Sequence, residues 1–332
     1  MSIPVNQLPP TPLRRLIRLL GTEKRNIGYV YLYSIVTGML GLSLPLGIQW
    51  VFNLVSSGTI FSSVYLLIGL VIAGVIVTGL LVIAEQRLVE VLQQRIFVKA
   101  AFEFTYRLPR IRPDALEPYY PPELMNRFFD VLTVQKGVAK LLIDLTSATV
   151  QILFALMLLS FYHPVFVGFG LFTALMVAGV IAINGRKALR TSLNESKYKY
   201  RVAAWLQDMA RDLPFYRNRP DDPEPIDRMD DLVAGYLKAR NEHFSVLTHF
   251  YGNALTFKTI VTGGLLILGT VLVVERQMTL GQFVAAELVI VLITTSVDKL
   301  IMNIDVVFDL LTAVEKLGTV TDMPFQTEPE HA

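Results

Sequence analysis

Residues 64–83, VYLLIGLVIAGVIVTGLLVI, run for twenty positions without a charge. A helix of that length crosses the ~30 Å hydrocarbon core of a bilayer. With no water there to satisfy its backbone, such a run is helical or does not cross at all. Five comparable runs cover 27–51, 141–162, 165–183, 254–274 and 280 to about 300. Charged residues make up 17% of the 332 and hydrophobic ones 53%, whereas an ordinary soluble chain is about a quarter charged. The sequence predicts an all-α membrane protein with six transmembrane helices.

Several kinds of chemistry are excluded early. The chain has no Cys, so it has no disulfides, thiolate metal sites or cysteine nucleophiles. His163, His243, His249 and His331 lie far apart without ligand spacing, so no metal site is expected. The opening MSIPVNQLPPTPLRRLIRLLG is interrupted by Glu23, Lys24 and Arg25 and lacks a cleavage signal. It reads as a cytosolic lead-in, 1–26, with an amphipathic helix over 12–20 lying at the membrane interface.

Positive charge sets the topology, because Lys and Arg concentrate in short cytoplasmic segments. Five precede the first run, nine lie between Arg87 and Lys140, twelve lie between Arg186 and Arg240, and the other three connections hold only Arg276. Both termini are therefore expected on the cytoplasmic side of the cell (inner or plasma) membrane. The external connections are short. The two internal ones, about 85–140 and 184–253, are too long for structureless loops. Their patterning predicts helical arms: 85–106 carries no Gly or Pro and repeats apolar residues at helical spacing. Prolines from 109 to 122 stop it, and a helix restarts at about Glu123 and leads without a break into the third run. The second arm descends through SLNESKYKYRVAAWLQDMARDL, turns at FYRNRPDDPEP and climbs back through IDRMDDLVAGYLKARNEHFSVL.

Six spans with helices two to three and four to five extended into the cytosol resemble the transmembrane domain of a type I ATP-binding cassette (ABC) exporter. The segments LSLPLGIQWVFNLV (42–55), ELMNRFFDVLTVQKG (123–137), TLGQFVAAELVI (279–290) and LIMNIDVVFDLLTAVEKLGTVTD (300–322) carry the resemblance in order and spacing. It covers a membrane domain over 27–318, and 319–332 falls where the linker to an ATPase would start. The chain departs from the family's usual half-molecule in one respect: no G-x-x-x-x-G-K-[ST] loop occurs. No catalytic, cofactor or metal residues are therefore expected in this chain. The resemblance places ATP and Mg in a separate nucleotide-binding subunit. It also implies a homodimer, or a heterodimer with a related membrane subunit, enclosing a pathway for an unidentified substrate.

By position in the family, 121–130 and 213–219 are the arm tips that dock into the ATPase. Arg127, Phe128, Phe129, Phe215, Tyr216 and Arg217 are the candidate coupling residues, on the expectation that exposed aromatics fill a pocket and arginines pair with its rim. The same aromatics could instead pack between the arms. At about 100° per residue, Glu287, Thr294 and Asp298 fall on one face of the last span, with Asp305 and Asp309 beyond. A carboxylate in hydrocarbon faces a bundle interior or a wet cavity. These residues, with Lys258 and Gln49, are candidate pathway residues, and pairing of the acids with Lys258 or Lys299 is the structural alternative. Pro45 is expected to kink its helix, and Gly263, Gly264 and Gly269 to permit close packing. Acids alternate with bases along the arms, so no nucleic-acid surface is expected. Two rival roles keep the fold without the motor: an assembly or regulatory membrane protein, and a passive lipid scramblase.

Overall fold

The computed structural model describes residues 11–58, 61–117 and 121–325. It is helical almost throughout. Among the described residues no strand forms, only an isolated antiparallel bridge between Ile111 and Phe325. Of the expected lead-in, 1–26, and tail, 319–332, residues 1–10 and 326–332 lie outside the described residues.

Helix α1, Pro12–Gly21, opens on a proline at its first position, where a missing N–H costs nothing. α2 (Lys24–Gly41) and α3 (Ser43–Ser56) form the first apolar segment. The break between them lies at Leu42, upstream of Pro45, whose ring crowds the carbonyl four residues back. α4 runs unbroken for 47 residues, Phe61–Arg107, and ends at a 3₁₀ turn around Pro109. Short helices α5 (Pro113–Leu116) and α6 (Pro121–Asn126) form the tip of the first arm. The arm returns as α7 (Asp130–Lys140) and α8 (Thr146–Tyr162). Between these two lies a π-helical turn, Leu141–Leu145, where an unbroken α-helix is expected from sequence. Thr146 Oγ1 donates to the Leu141 carbonyl at 3.2 Å, which helps satisfy the widened turn.

α9 (Val165–Arg211, 47 residues), α10 (Leu213–Arg217) and α11 (Glu224–Val274, 51 residues) make the second arm. α12 (Leu280–Met302) starts from a Thr279–Gln282 capping box. α13 (Ile304–Thr321) follows a break at Asn303.

Among the described residues, five stretches are long and apolar enough to cross a membrane: Lys24–Ser56, Ser62–Arg110, Leu124–Tyr162, Glu224–Val274 and Leu280–Thr321. The remaining expected span falls on the start of α9, where Val165–Met176 is apolar. The side chains at 177 and 180–183 of that span lie outside the described residues.

The burial pattern inverts that of a water-soluble protein. The most apolar window, in Ser62–Arg110, has mean hydropathy 3.0 and none of it buried, while the less apolar window in Leu280–Thr321, at 1.9, is half buried. An apolar helix that turns its side chains outward is stable in lipid and not in water. The chain is therefore an all-α membrane protein.

Its packed interior has two main parts. One joins α8, α9, α11 and α12 around Phe166, Phe250, Phe257 and Ile293. The other joins α1, α2, α4, α7 and α13 around Leu92, Val134, Leu142 and Leu310. Close approach at α3/α12 depends on Gly281, where a Cβ would sit 2.2 Å from Asn53 Oδ1 and 3.0 Å from the Gln49 carbonyl. Of the three glycines expected to allow packing, Gly264 and Gly269 meet the rings of Phe169 and Phe283, while nothing lies within 4 Å of a Cβ at Gly263. Gly281→Val should therefore destabilise by about 1–3 kcal/mol through overpacking. Gly263→Ala should be neutral or stabilising by up to about 1 kcal/mol. Thermal denaturation of the two variants in detergent checks the contrast, and equal effects would refute it.

Candidate functional site

The first candidate region is the pair of arm tips. In the first, the turn Arg127–Phe129 links α6 to α7. Phe128, expected to be exposed, is instead half-buried. Its ring meets Phe97 at 5.5 Å and Phe104 at 5.6 Å, both edge-on, which anchors the tip to the underside of α4. Arg127 is buried too, 8% exposed, rather than standing at a rim. One turn cannot point two adjacent aromatics the same way. Phe129 therefore faces out, 66% exposed, above an apolar groove formed by Phe104, Leu108, Pro109 and Met125.

In the second tip, α10 is closed by aromatic packing. Tyr216 lies edge-on to Trp205 at 6.2 Å and to Phe215 at 5.2 Å, and the Arg219 guanidinium sits 4.4 Å over the Phe215 ring. Tyr216 is half-buried by this packing, while Phe215 (47%) and Leu213 (59%) stay exposed and Arg217 projects outward. Of the candidate coupling residues, Phe129, Phe215 and Arg217 thus face outward, with Leu213 beside them in the second tip.

The second region is the polar face of α12. Lys258 Nζ and Asp298 Oδ2 form an ion pair at 2.7 Å, with both side chains more than a third exposed. This is the pairing anticipated as the structural alternative, made with Lys258 rather than Lys299. Thr294 does not share an open face. It is buried and its hydroxyl donates to the Ile290 carbonyl of its own helix at 3.0 Å. Glu287 is half-buried, and no ion pair or hydrogen bond reaches it among the described residues. Gln49 is tied into the bundle, its Oε1 accepting from the Tyr162 hydroxyl at 2.6 Å. The continuous polar stripe expected from a single helix is further interrupted at Asn303, which starts a new register for Asp305 and Asp309.

Three polar clusters have no counterpart in the sequence reading. The Ser34 hydroxyl donates to Glu85 at 2.6 Å, and both residues are buried between α2 and α4. His243, 2% exposed, shares a 2.9 Å hydrogen bond with Thr191, while Ser192 and Thr312 pair at 2.9 Å. The third cluster joins the arms: the Tyr200 hydroxyl of α9 donates to Asp130 of α7, with the Lys316 ammonium of α13 5.2 Å from the same ring. Each pair is more than forty residues apart in sequence, and no periodicity marks such partners.

Comparison with known proteins adds no identification: no family model matches the chain, and no curated protein matches its sequence.

Two predictions follow from the geometry of the tips and arms. Phe128→Ala should cost on the order of 3 kcal/mol, as loss of a packed aromatic does. Phe129→Ala should stay within about 0.5 kcal/mol of wild type. A denaturation series in detergent that ranks them the other way would contradict this placement.

Burial lifts the Asp130 carboxyl above the usual carboxylate value, against the hydrogen bond from Tyr200 and the nearby charges of Lys199, Lys316 and Arg127. A carboxyl with a raised folded-state pKa takes up its proton more readily when folded. Its stabilising contribution is therefore present in acid and is lost as pH rises through the folded pKa. Asp130→Asn keeps an acceptor for Tyr200 and removes the charge. The melting temperature of the variant relative to wild type should rise from acid to neutral pH, and a flat difference would refute the assignment.

Proposed function

We propose that the chain is the membrane-spanning subunit of an ABC-type exporter. In this reading it has six spans and both termini in the cytoplasm, and it pairs with a second copy or a related subunit around one alternating-access pathway. A separate nucleotide-binding subunit supplies ATP hydrolysis and docks on the arm tips. No bond chemistry occurs in this chain.

The observation that carries the reading is the length of three helices. α4, α9 and α11, with 47, 47 and 51 residues, are about 70–77 Å long at ~1.5 Å per residue. That is more than twice the ~30 Å hydrocarbon thickness. Each extends far beyond the bilayer as a rigid rod, and the rods end in tips with outward-facing Phe129 and Phe215. A rigid arm capped by an aromatic plug suits transmission of a partner's closure to the membrane. The half-exposed Lys258–Asp298 pair supports the pathway side of the reading. Charges set within the apolar stretches of α11 and α12 face water or a partner subunit rather than acyl chains.

The reading is tested by purification from native membranes. A nucleotide-binding subunit should copurify, and Phe129→Ala with Phe215→Ala should reduce its ATPase stimulation at least tenfold while leaving the melting temperature unchanged. The absence of any ATPase partner, with no ATP-dependent transport after reconstitution, sinks the exporter reading and leaves the motorless roles. Breaking the charge pair with Asp298→Asn should change transport of the native cargo. An effect on stability alone would make the pair structural.

A further inference from the structure

The six expected spans hold few charged residues: Asp144, Lys258, Glu287, Asp298 and Lys299. Asp144 pairs with Lys140 at 3.3 Å, and Lys258 with Asp298 at 2.7 Å. Lys299 stands at the end of its span. Glu287 lies well inside the same span and, among the described residues, has neither an ion pair nor a hydrogen bond.

Its place on α12 matters as much as its depth. At ~100° per residue, positions 280, 284, 287, 291, 295, 298 and 302 fall within about 80° of one another. On this stripe Leu280, Val291 and Met302 are more than half exposed, Thr295 is exposed, and Val284, Glu287 and Asp298 are half-buried. The other side of α12, with Ala286, Val289, Ile290, Ile293 and Val297, is buried against α3, α8 and α11. Glu287 thus sits on the side of α12 that the described residues leave open. A carboxylate at that depth is costly against acyl chains, so this side faces a wet cavity or a second subunit.

Symmetry limits what can neutralise it. When two copies enclose one cavity about an axis along the membrane normal, equivalent residues lie at equal depth. Glu287 then meets Glu287 of the partner subunit, a second carboxylate rather than a cation. The Lys258–Asp298 pair cancels itself and lies about 16 Å further along the helix at ~1.5 Å per residue. Two like charges on one cavity call for a positive guest. A hard metal ion fits poorly, because it takes about six to eight oxygens, and among the described residues no three His, Asp or Glu gather to hold one. The neighbours of Glu287 on the stripe are instead apolar, and the Thr295 hydroxyl is already given to the Val291 carbonyl at 2.8 Å.

We propose that the cargo of this cavity is an organic cation with an apolar body. Glu287 holds the positive charge, and Leu280, Val284 and Val291 receive the body. This rests on the exporter reading, in that two copies share one cavity.

The test uses the full chain in phosphatidylcholine nanodiscs. Equilibrium binding is measured for tetraphenylphosphonium and tetraphenylborate, ions of like size and opposite charge, against protein-free nanodiscs. Tetraphenylphosphonium should bind saturably and tetraphenylborate should not. Glu287→Gln should weaken tetraphenylphosphonium binding by about tenfold or more, a loss of about 1.4 kcal/mol or greater, at an unchanged melting temperature. Glu287→Asp keeps the charge and should retain most of the binding. Glu275→Gln removes an exposed carboxylate from the turn before α12 and should have no effect. Equal binding of the two ions, no saturable binding of tetraphenylphosphonium, or an equal loss from Glu275→Gln overturns the proposal. Unchanged binding with a lowered melting temperature in Glu287→Gln makes the carboxylate structural and overturns it as well. Binding needs no ATPase, so the two readings fail separately. Glu287-dependent binding without an ATPase partner keeps the cation site and removes the exporter reading, and an ATPase partner with charge-blind binding does the reverse.

Discussion

Everything else in this fold is arranged around the last two helices. α12 packs against α3, α8 and α11 within the membrane part, and α13 continues past Asn303 to pack against α1, α7 and α9. The same segment supplies Ile290, Ile293 and Phe308 to one interior and Leu310, Ala313 and Val314 to the other. In lipid, burial of apolar area gives helices little reason to associate, so close fit and polar contacts decide the arrangement. This segment has both. Gly281 admits α3 to near contact, Leu310 packs into the space left by Gly137, and Arg15 clasps α13 from the outside through Glu315 and Asp322. The two arms never need a large direct interface, because each is seated on α13. Tyr200 and Asp130 then close the remaining gap between them.

That arrangement explains what was legible in the sequence. Period and composition act locally, so helices α4, α9 and α11, their proline-marked ends and the inverted exposure of the span at 64–83 all follow from runs of residues read in order. The lead-in helix at 12–20 is equally local: its arginines and leucines alternate with helical spacing, and Pro12 fixes its start. The candidate Lys258–Asp298 pair was visible because charges are rare in such helices and few partners exist. What escaped depends on neighbours distant in sequence. Phe128 and Phe129 are identical in type and adjacent in position, and only the placement of α4 decides which one is buried. Asp130 and Tyr200 likewise look like ordinary arm residues until α7 and α9 are set side by side.

The irregular turns show a second limit. Nothing in LLIDL announces a π-turn, and nothing but Asn303 marks the break between α12 and α13. The two irregularities are neighbours. Lys140, just before the π-turn, pairs with Asp144 at 3.3 Å and donates to Asn303 Oδ1 at 3.2 Å. Interruptions in the i→i−4 ladder are where helices bend with least further loss of hydrogen bonding. Propensity scales do not place them, because they answer to the fit between helices rather than to the residues within one.

Their position matters for the proposed transport role. A lever needs rigid arms and a compliant joint, and rods of about 70 Å with uniform ladders would transmit force to the membrane helices without changing their packing. Here the uniform stretches lie in α4, α9 and α11, whereas the ladder is interrupted on the path from the first tip through α7 and from the last span into α13. In the proposed role, motion of the first tip, anchored through Phe128 to α4, would reach the π-turn and the Asn303 break together, since Lys140 contacts both. The helix on the far side of that break carries Asp298, and with it the Lys258–Asp298 ion pair that joins α12 to α11. A rotation of α12 relative to α13 would alter that pair first, so in the proposed role docking at the tips is joined to the polar face of α12 by a short chain of named contacts.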